Sequence, residues 1–217
     1  MQIEQLIQYL ALGAIPILFA ITLHEAAHGY VARHFGDMTA ARAGRISMNP
    51  VHHIDPIGTV LIPVLLFVIS HGTFTFGWAK PVPVNFGALR HPKKDMLWVA
   101  LAGPAANLFM ACAWALVAKL ALAFQGNYFA APLYGMAIMG IEINVVLMAL
   151  NLIPIPPLDG GRVLVSLLPY PQAVKFARIE PYGMFILLAL MATQVLGLIL
   201  WPVVKLLVTA INFIFGL

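Results

Sequence analysis

Residues 22–30 read TLHEAAHGY. His24 and His28 are four apart, so on a helix both project from one face, one turn apart. Two imidazoles placed this way can hold one Zn²⁺ at about 2.0–2.1 Å each. Glu25 is rotated by about 100° around the helix, beside the pair. From there its carboxylate can reach a metal-activated water without being a ligand, take the water's proton and pass it to a leaving amine. His-Glu-x-x-His on a helix therefore points to metal-assisted hydrolysis of an amide bond. The competing reading is two core histidines with satisfied hydrogen bonds. The surroundings weaken it, because ionisable groups inside a long apolar run are costly without a function.

A catalytic zinc site takes three protein ligands and keeps one position open. His34, His52, His53 and His91 lie in connections near basic clusters, and His71 ends a short apolar stretch. The carboxylates within apolar surroundings are Glu25, Glu142 and Asp159. Asp159 stands out, in NLIPIPPLDGGRV at residues 151–163. Pro154, Pro156 and Pro157 prevent the preceding helix from continuing. Broken backbone at membrane depth survives only when buried in protein or lining a wet cavity. Gly160 and Gly161 then allow close backbone approach. Asp159 is the candidate third ligand; capping of the helix from about residue 160 is the alternative role.

Two amides share this setting. Asn151 precedes the break, and Asn107 lies in LAGPAANL at residues 101–108. Either can steady an oxyanion or hold a substrate backbone, and helix-to-helix hydrogen bonding is the alternative. Substrate contact is the favoured reading for Asn151, and a structural role for Asn107. Gly103 and Pro104 read as close-packing and kink residues. Glu142 has no assigned role.

These residues need elements to position them, and composition says which. Of 217 residues, 62% are apolar and only 9% charged, against about 25% charged in a soluble domain. Mean hydropathy is +0.93. This is an integral membrane chain in contact with the lipid bilayer. Apolar helical segments are expected over 5–32, 96–124, 132–152, 182–199 and 200–216, with Pro202 near the start of the last. Each of the first four is long enough to cross roughly 30 Å of hydrocarbon. Residues 57–71 are short for a span and contain Pro63. Basic clusters flank them: Arg33, Arg42 and Arg45 before, Arg90, Lys93 and Lys94 after. A third cluster is Arg162, Lys175 and Arg178. A full span would leave the second cluster outside; a re-entrant 57–71, the favoured reading, puts all three on the cytoplasmic side. His24 then lies about 13 Å inside the cytoplasmic end of its helix.

Residues 73–85, TFTFGWAKPVPVN, alternate polar and apolar and then meet Pro81 and Pro83. That pattern suggests a short strand or β-hairpin with proline-blocked edges. The net charge of +4 sits in short connections and does not suggest nucleic acid. A single cysteine, Cys112, excludes an internal disulfide and any multi-cysteine zinc site. The opening MQIEQ carries no cation, so the first segment is expected to be retained rather than cleaved as a signal peptide. The reading is one all-α polytopic domain over 1–217, with a re-entrant or short segment and a small β-hairpin.

The motifs HEAAH, GRISMNPVHHIDPIGT, FGWAKPVPVN, AGPAAN and NLIPIPPLDGG together resemble the site-2 proteases, which are intramembrane zinc metalloproteases. The resemblance extends over essentially the whole chain. It implies a three-helix catalytic core with extra helices and one zinc held by His24, His28 and Asp159. It also implies Glu25 as catalytic glutamate, and Asn151 as the asparagine before the Asp motif. The expected substrate is a membrane protein with a helix-weakened transmembrane segment, because a regular helix must unwind to expose a peptide bond; charge and depth place the expected site toward the cytoplasmic side of the cell membrane. The GWAKPVPVN stretch resembles a membrane-associated strand region that could pair with an unwound substrate; a plain connecting loop is the alternative reading. No stretch resembles the PDZ or cystathionine-synthase-like domains of regulatory members. A zinc transporter and an inactive membrane-protein-binding scaffold are the rival readings. The scarcity of acids along the other helices argues against the first, and the intact Glu25 against the second.

Overall fold

The computed structural model describes residues 3–69 and 77–217. Among them the chain forms α1 (Ile3–His34), α2 (Thr39–Arg42), α3 (Ile62–Ile69), α4 (Pro92–Ala123), α5 (Ala130–Asn151), α6 (Asp159–Leu167), α7 (Tyr170–Ala177), α8 (Glu180–Ala192) and α9 (Val195–Phe215). Among the described residues, four helices are long and apolar enough to cross a membrane: Leu10–His34, Pro92–Ala123, Ala130–Asn151 and Val195–Phe215.

Three of these, α1, α4 and α5, pack on one another, and α9 packs on α4 and α5. Lipid tails are as apolar as the side chains, so contact in a membrane depends on close approach rather than on escape from water. The sequence supplies small residues for this. Ala111, Ala115 and Ala118 are completely buried on α4. On α5, a Cβ at Gly140 would lie 2.4 Å from the Trp114 ring, so only glycine lets that ring sit against the helix. Ile141, Val145, Leu200, Val204 and Ile211 complete the core between α4, α5 and α9.

The C-terminal apolar stretch divides differently from expectation. The break falls at Thr193–Gln194, where Gln194 takes a left-handed φ of 61°, and not at residues 199–200. Pro202 lies inside α9 instead of starting it. A membrane helix tolerates an internal proline where neighbouring groups re-satisfy the freed backbone. The expected span 182–199 therefore does not form. Glu180–Ala192 is a shorter apolar helix, and α9 is the spanning one.

Of the 57–71 stretch, residues 70 and 71 lie outside the described part, and the rest is a wide turn over Pro56–Leu61 that runs into α3. Asp55 caps this turn by accepting from the Ile57 and Gly58 amides, at 3.0 and 2.7 Å. The chain leaves and returns at nearly one place. Lys80 N–H donates to the His53 carbonyl at 2.9 Å, and Trp78 N–H to the Gly58 carbonyl at 3.0 Å. Beyond it, Arg90 N–H donates to the Phe35 carbonyl at 3.0 Å, which ties the start of α4 to the end of α1.

No strand forms among the described residues. Of the expected hairpin, residues 73–76 lie outside the described part, and 77–85 run without regular secondary structure. Side chains hold this segment where ladder hydrogen bonds were expected. Arg45 donates to the Lys80 and Pro81 carbonyls at 2.9 and 3.3 Å. Asp37 accepts the Asn85 amide at 2.7 Å and the Thr39 amide at 2.9 Å.

Candidate metal centre and active site

His24 and His28 face inward from α1 and are 7% and 9% exposed. Their Nε2 atoms are 3.1 Å apart. Asp159 arrives from the first residue of α6, with one carboxylate oxygen 3.3 Å from His24 Nε2 and the other 3.3 Å from His28 Nε2. These three residues form the metal-capable cluster of His, Cys, Asp or Glu side chains among the described residues.

The delivery of Asp159 depends on the broken stretch after α5. The helix ends at Asn151, and turns carry the chain through Pro154, Pro156 and Pro157. A Cβ at Gly160 would lie 2.2 Å from the Leu152 carbonyl oxygen, and one at Gly161 2.4 Å from Pro156 N. Both glycines are needed for α6 to start directly against the break. The capping alternative for Asp159 is not adopted. Leu158 occupies the cap position, no side chain caps α6, and Asp159 Oδ2 is buried without accepting a hydrogen bond.

Gly103 on α4 provides the space. A Cβ there would lie 2.4 Å from His28 Nε2 and 2.5 Å from His24 Cε1. The sequence reading of Gly103 as a close-packing residue holds, but what it packs against is the imidazole pair. The second nitrogens are also engaged. His28 Nδ1 lies 2.7 Å from the Val99 carbonyl oxygen, and His24 Nδ1 lies 2.6 Å from Asn107 Oδ1.

This donor set fits zinc. A carbonyl only accepts, so a neutral His28 holds its proton on Nδ1 and turns the Nε2 lone pair to the centre. There it meets the other Nε2 and a carboxylate with an unpartnered oxygen, an electron-rich group that calls for a cation. A tetrahedron with arms of about 2.0–2.1 Å has edges of roughly 3.3 Å, close to the three separations given above.

Glu25 is half-buried beside this cluster, and its Oε2 accepts the Val82 amide at 2.7 Å. Pro81 and Pro83 have no N–H, so Val82 is the one amide donor in 81–83. A cavity of about 350 Å³ is lined by His24, Glu25, His28, Val82, Asn151 and Asp159, among others. Arg162 also reaches it, paired with Glu180 and set over the Phe86 ring at 5.0 Å.

The two asparagines separate. Asn151 lines the cavity and donates to the Leu147 carbonyl of its own helix at 3.0 Å. Asn107 is completely buried behind His24 and lies outside the cavity lining. Its amide nitrogen donates across helices to the Ala20 carbonyl and to Asn144 Oδ1. Glu142 is exposed on α5 and does not join the cavity. Asn144 and Asp37 are polar residues of consequence with no role in the sequence reading, and Arg45 entered it only as part of a basic cluster. Asn144 carried a legible signal, being an amide in a long apolar helix, the same signal that drew attention to Asn107.

Membrane-length helices carrying His-Glu-x-x-His beside a carboxylate from a broken helix define the class of membrane-embedded metallohydrolases. The model of peptidase family M50 matches residues 117–193. YwhC of Bacillus subtilis, named as a candidate zinc metalloprotease, is 37% identical over 194 residues, covering 88% of this chain and 84% of that one. Rip2 of Mycolicibacterium smegmatis, named in the same way, is 32% identical over 180 residues, 83% of this chain and 66% of that one. MJ0611 of Methanocaldococcus jannaschii is 28% identical over 141 residues, 65% and 62% of the two chains. No solved structure matches. The chain belongs to peptidase family M50, the site-2 proteases.

Proposed function

We propose that this chain hydrolyses peptide bonds in or near transmembrane segments of membrane proteins, with His24, His28 and Asp159 holding one zinc and Glu25 moving the proton. The observation that carries the reading is the convergence of two Nε2 atoms and a carboxylate at 3.1–3.3 Å beside the Glu25 carboxylate. Zinc bound there supplies a Lewis acid that polarises the scissile carbonyl and acidifies water.

The remaining work falls to the chain's own groups. The Val82 amide fixes Glu25 Oε2, so Oε1 is the oxygen left to take the proton of the attacking water. Glu25 then delivers that proton to the leaving amine nitrogen. Asn151, with a carbonyl oxygen and an N–H still available at the cavity, holds the substrate backbone. Pro81, Val82, Val84 and Phe86 form one wall of the cavity beside the centre.

A regular transmembrane helix shields its peptide bonds, so the substrate must unwind locally. Each freed backbone group costs several kcal/mol in hydrocarbon unless the enzyme satisfies it. Gly, Pro or Asn in the target weakens its helix beforehand. Cleavage therefore falls near such residues. The 77–85 segment is a candidate partner for the unwound strand.

Orientation follows from charge. The Arg90–Phe35 hydrogen bond brings the basic clusters at 33–45 and 90–94 to one end of the helices. Lys93 Nζ donates to the Leu168 carbonyl, which brings the third cluster's helices there as well. We assign this end to the cytoplasm and read Pro56–Ile69 as re-entrant. The test is a lipid-reconstituted cleavage assay on a membrane substrate with a Gly- or Pro-containing segment. Glu25→Gln should retain zinc and lose turnover; turnover near wild type would overturn the mechanism.

A further inference from the structure

Behind the imidazole pair a line of buried amides crosses three helices. His24 Nδ1 lies 2.6 Å from Asn107 Oδ1. Asn107 Nδ2 donates to Asn144 Oδ1 at 3.0 Å and to the Ala20 carbonyl at 3.2 Å. Asn144 Nδ2 donates to the Gly140 carbonyl at 2.8 Å. Asn107 and Asn144 are both completely buried, and neither lines the cavity. They do not touch a substrate there.

The line has a direction, and a backbone carbonyl sets it. A carbonyl oxygen accepts and never donates. Gly140 therefore takes the NH₂ of Asn144, which turns Asn144 Oδ1 toward Asn107. That oxygen and the Ala20 carbonyl take the NH₂ of Asn107, which turns Asn107 Oδ1 toward His24. An amide oxygen also only accepts, so His24 must carry its proton on Nδ1. Neutral imidazole has a single N–H, and Nε2 is left with the lone pair.

We propose that Asn144 is a positioning residue that acts through Asn107 to fix the tautomer and ring orientation of His24. The inference rests on the reading of His24, His28 and Asp159 as the zinc ligands. If Asn107 flips, its NH₂ faces Nδ1. His24 must then accept at Nδ1 and hold its proton on Nε2, where it blocks the metal. His28 needs no such relay, because the Val99 carbonyl meets its Nδ1 directly at 2.7 Å. The two ligands are therefore oriented by different means, and only one is sensitive to α5.

The test uses the full chain, ¹⁵N-labelled at histidine, stripped of metal and held in lipid nanodiscs at mildly alkaline pH. NMR assigns the tautomer of each imidazole. Wild type should show Nδ1–H at both His24 and His28. Asn144→Ala should give His24 an Nε2–H population, leave His28 unchanged, and weaken zinc binding about 10–100-fold in chelator competition. Asn144→Asp is the rescue. A buried carboxyl is held neutral, so its O–H faces Gly140 and its carbonyl oxygen faces Asn107, and zinc affinity should return close to wild type. A packing role alone would leave the tautomer the same in all three proteins. Nε2–H at His24 in wild type overturns the proposal even if the alanine variant fails to fold. So does Asn144→Ala with an unchanged tautomer and unchanged affinity. Wild type with the Nδ1–H tautomer but no zinc at His24 would instead overturn the metal reading and leave the relay standing.

Discussion

Gly103→Ala adds one methyl group at the back of the metal centre. The new Cβ would lie 2.4 Å from His28 Nε2, 2.5 Å from His24 Cε1 and 2.6 Å from His24 Nε2. Ordinary contact for such atoms begins at about 3.5 Å, so both rings are overlapped by about 1 Å. They cannot simply back away. Val99 and Asn107 hold their Nδ1 atoms at 2.7 and 2.6 Å, and Asp159 lies on the other side at 3.3 Å. Either α4 shifts or the rings rotate. Metal sites tolerate errors of only about 0.2 Å in ligand position, so a 1 Å shift is several times too large. Overpacking of this kind costs about 1–3 kcal/mol, which corresponds to a loss of roughly 5–150-fold in zinc affinity. Zinc is read by chelator competition, and the fold by far-ultraviolet circular dichroism in detergent. The expected result is unchanged helicity with weakened zinc and little cleavage. Wild-type zinc affinity in a folded Gly103→Ala protein would refute the geometry assigned to this centre.

Asp159→Asn should bind zinc at least about 10-fold more weakly, since the neutral amide loses the charge that faces both Nε2 atoms; metal analysis after dialysis checks this. Glu25→Gln should keep zinc and lower kcat by at least about 100-fold, because an amide cannot take the water's proton. Asp37 gives a pH dependence. Burial raises its pKa, but hydrogen bonds from the Thr39 hydroxyl and amide and the Asn85 amide outweigh this and hold the carboxyl below the usual carboxylate range. Its stabilisation is therefore present above the ordinary carboxylate pKa and lost as pH falls through the lower, folded value. Thermal melts in detergent should show this acid-side loss, and Asp37→Asn should flatten it at a cost of roughly 1–3 kcal/mol near neutral pH. Replacing the Gly, Pro or Asn residues of a cleaved substrate segment with Leu should slow cleavage at equal membrane insertion, as quantified by product formation.

The chemistry was legible because it rests on local spacing. His24, Glu25 and His28 are fixed by one helix, and Asp159 by the conflict between three prolines and an apolar setting. The long spans α1, α4 and α5 were legible because continuous apolar length is a strong signal. What escaped was set by contacts between distant segments. The α8–α9 turn rests on Gln194 in a left-handed conformation, which no turn residue announces, while Pro202 looked like a boundary and is held within a helix. The Pro81–Asn85 stretch has a strand's alternation. Yet its hydrogen bonds go to Glu25, Arg45 and Asp37, 57, 36 and 48 residues away along the chain. Asn144 follows the same logic: its polar character was visible, but its direction depends on a carbonyl one turn back and an amide on another helix.

Zinc K-edge X-ray absorption on the purified, lipid-reconstituted chain reads the metal and its neighbours without relying on activity. The expected spectrum has one zinc per chain, nitrogen and oxygen neighbours at about 2.0–2.2 Å, and the multiple-scattering signature of two imidazoles. In His24→Ala or His28→Ala the signature should drop to one imidazole. Stoichiometric zinc without imidazole scattering, or full proteolytic activity in protein shown to be free of metal, would contradict the zinc-centre assignment.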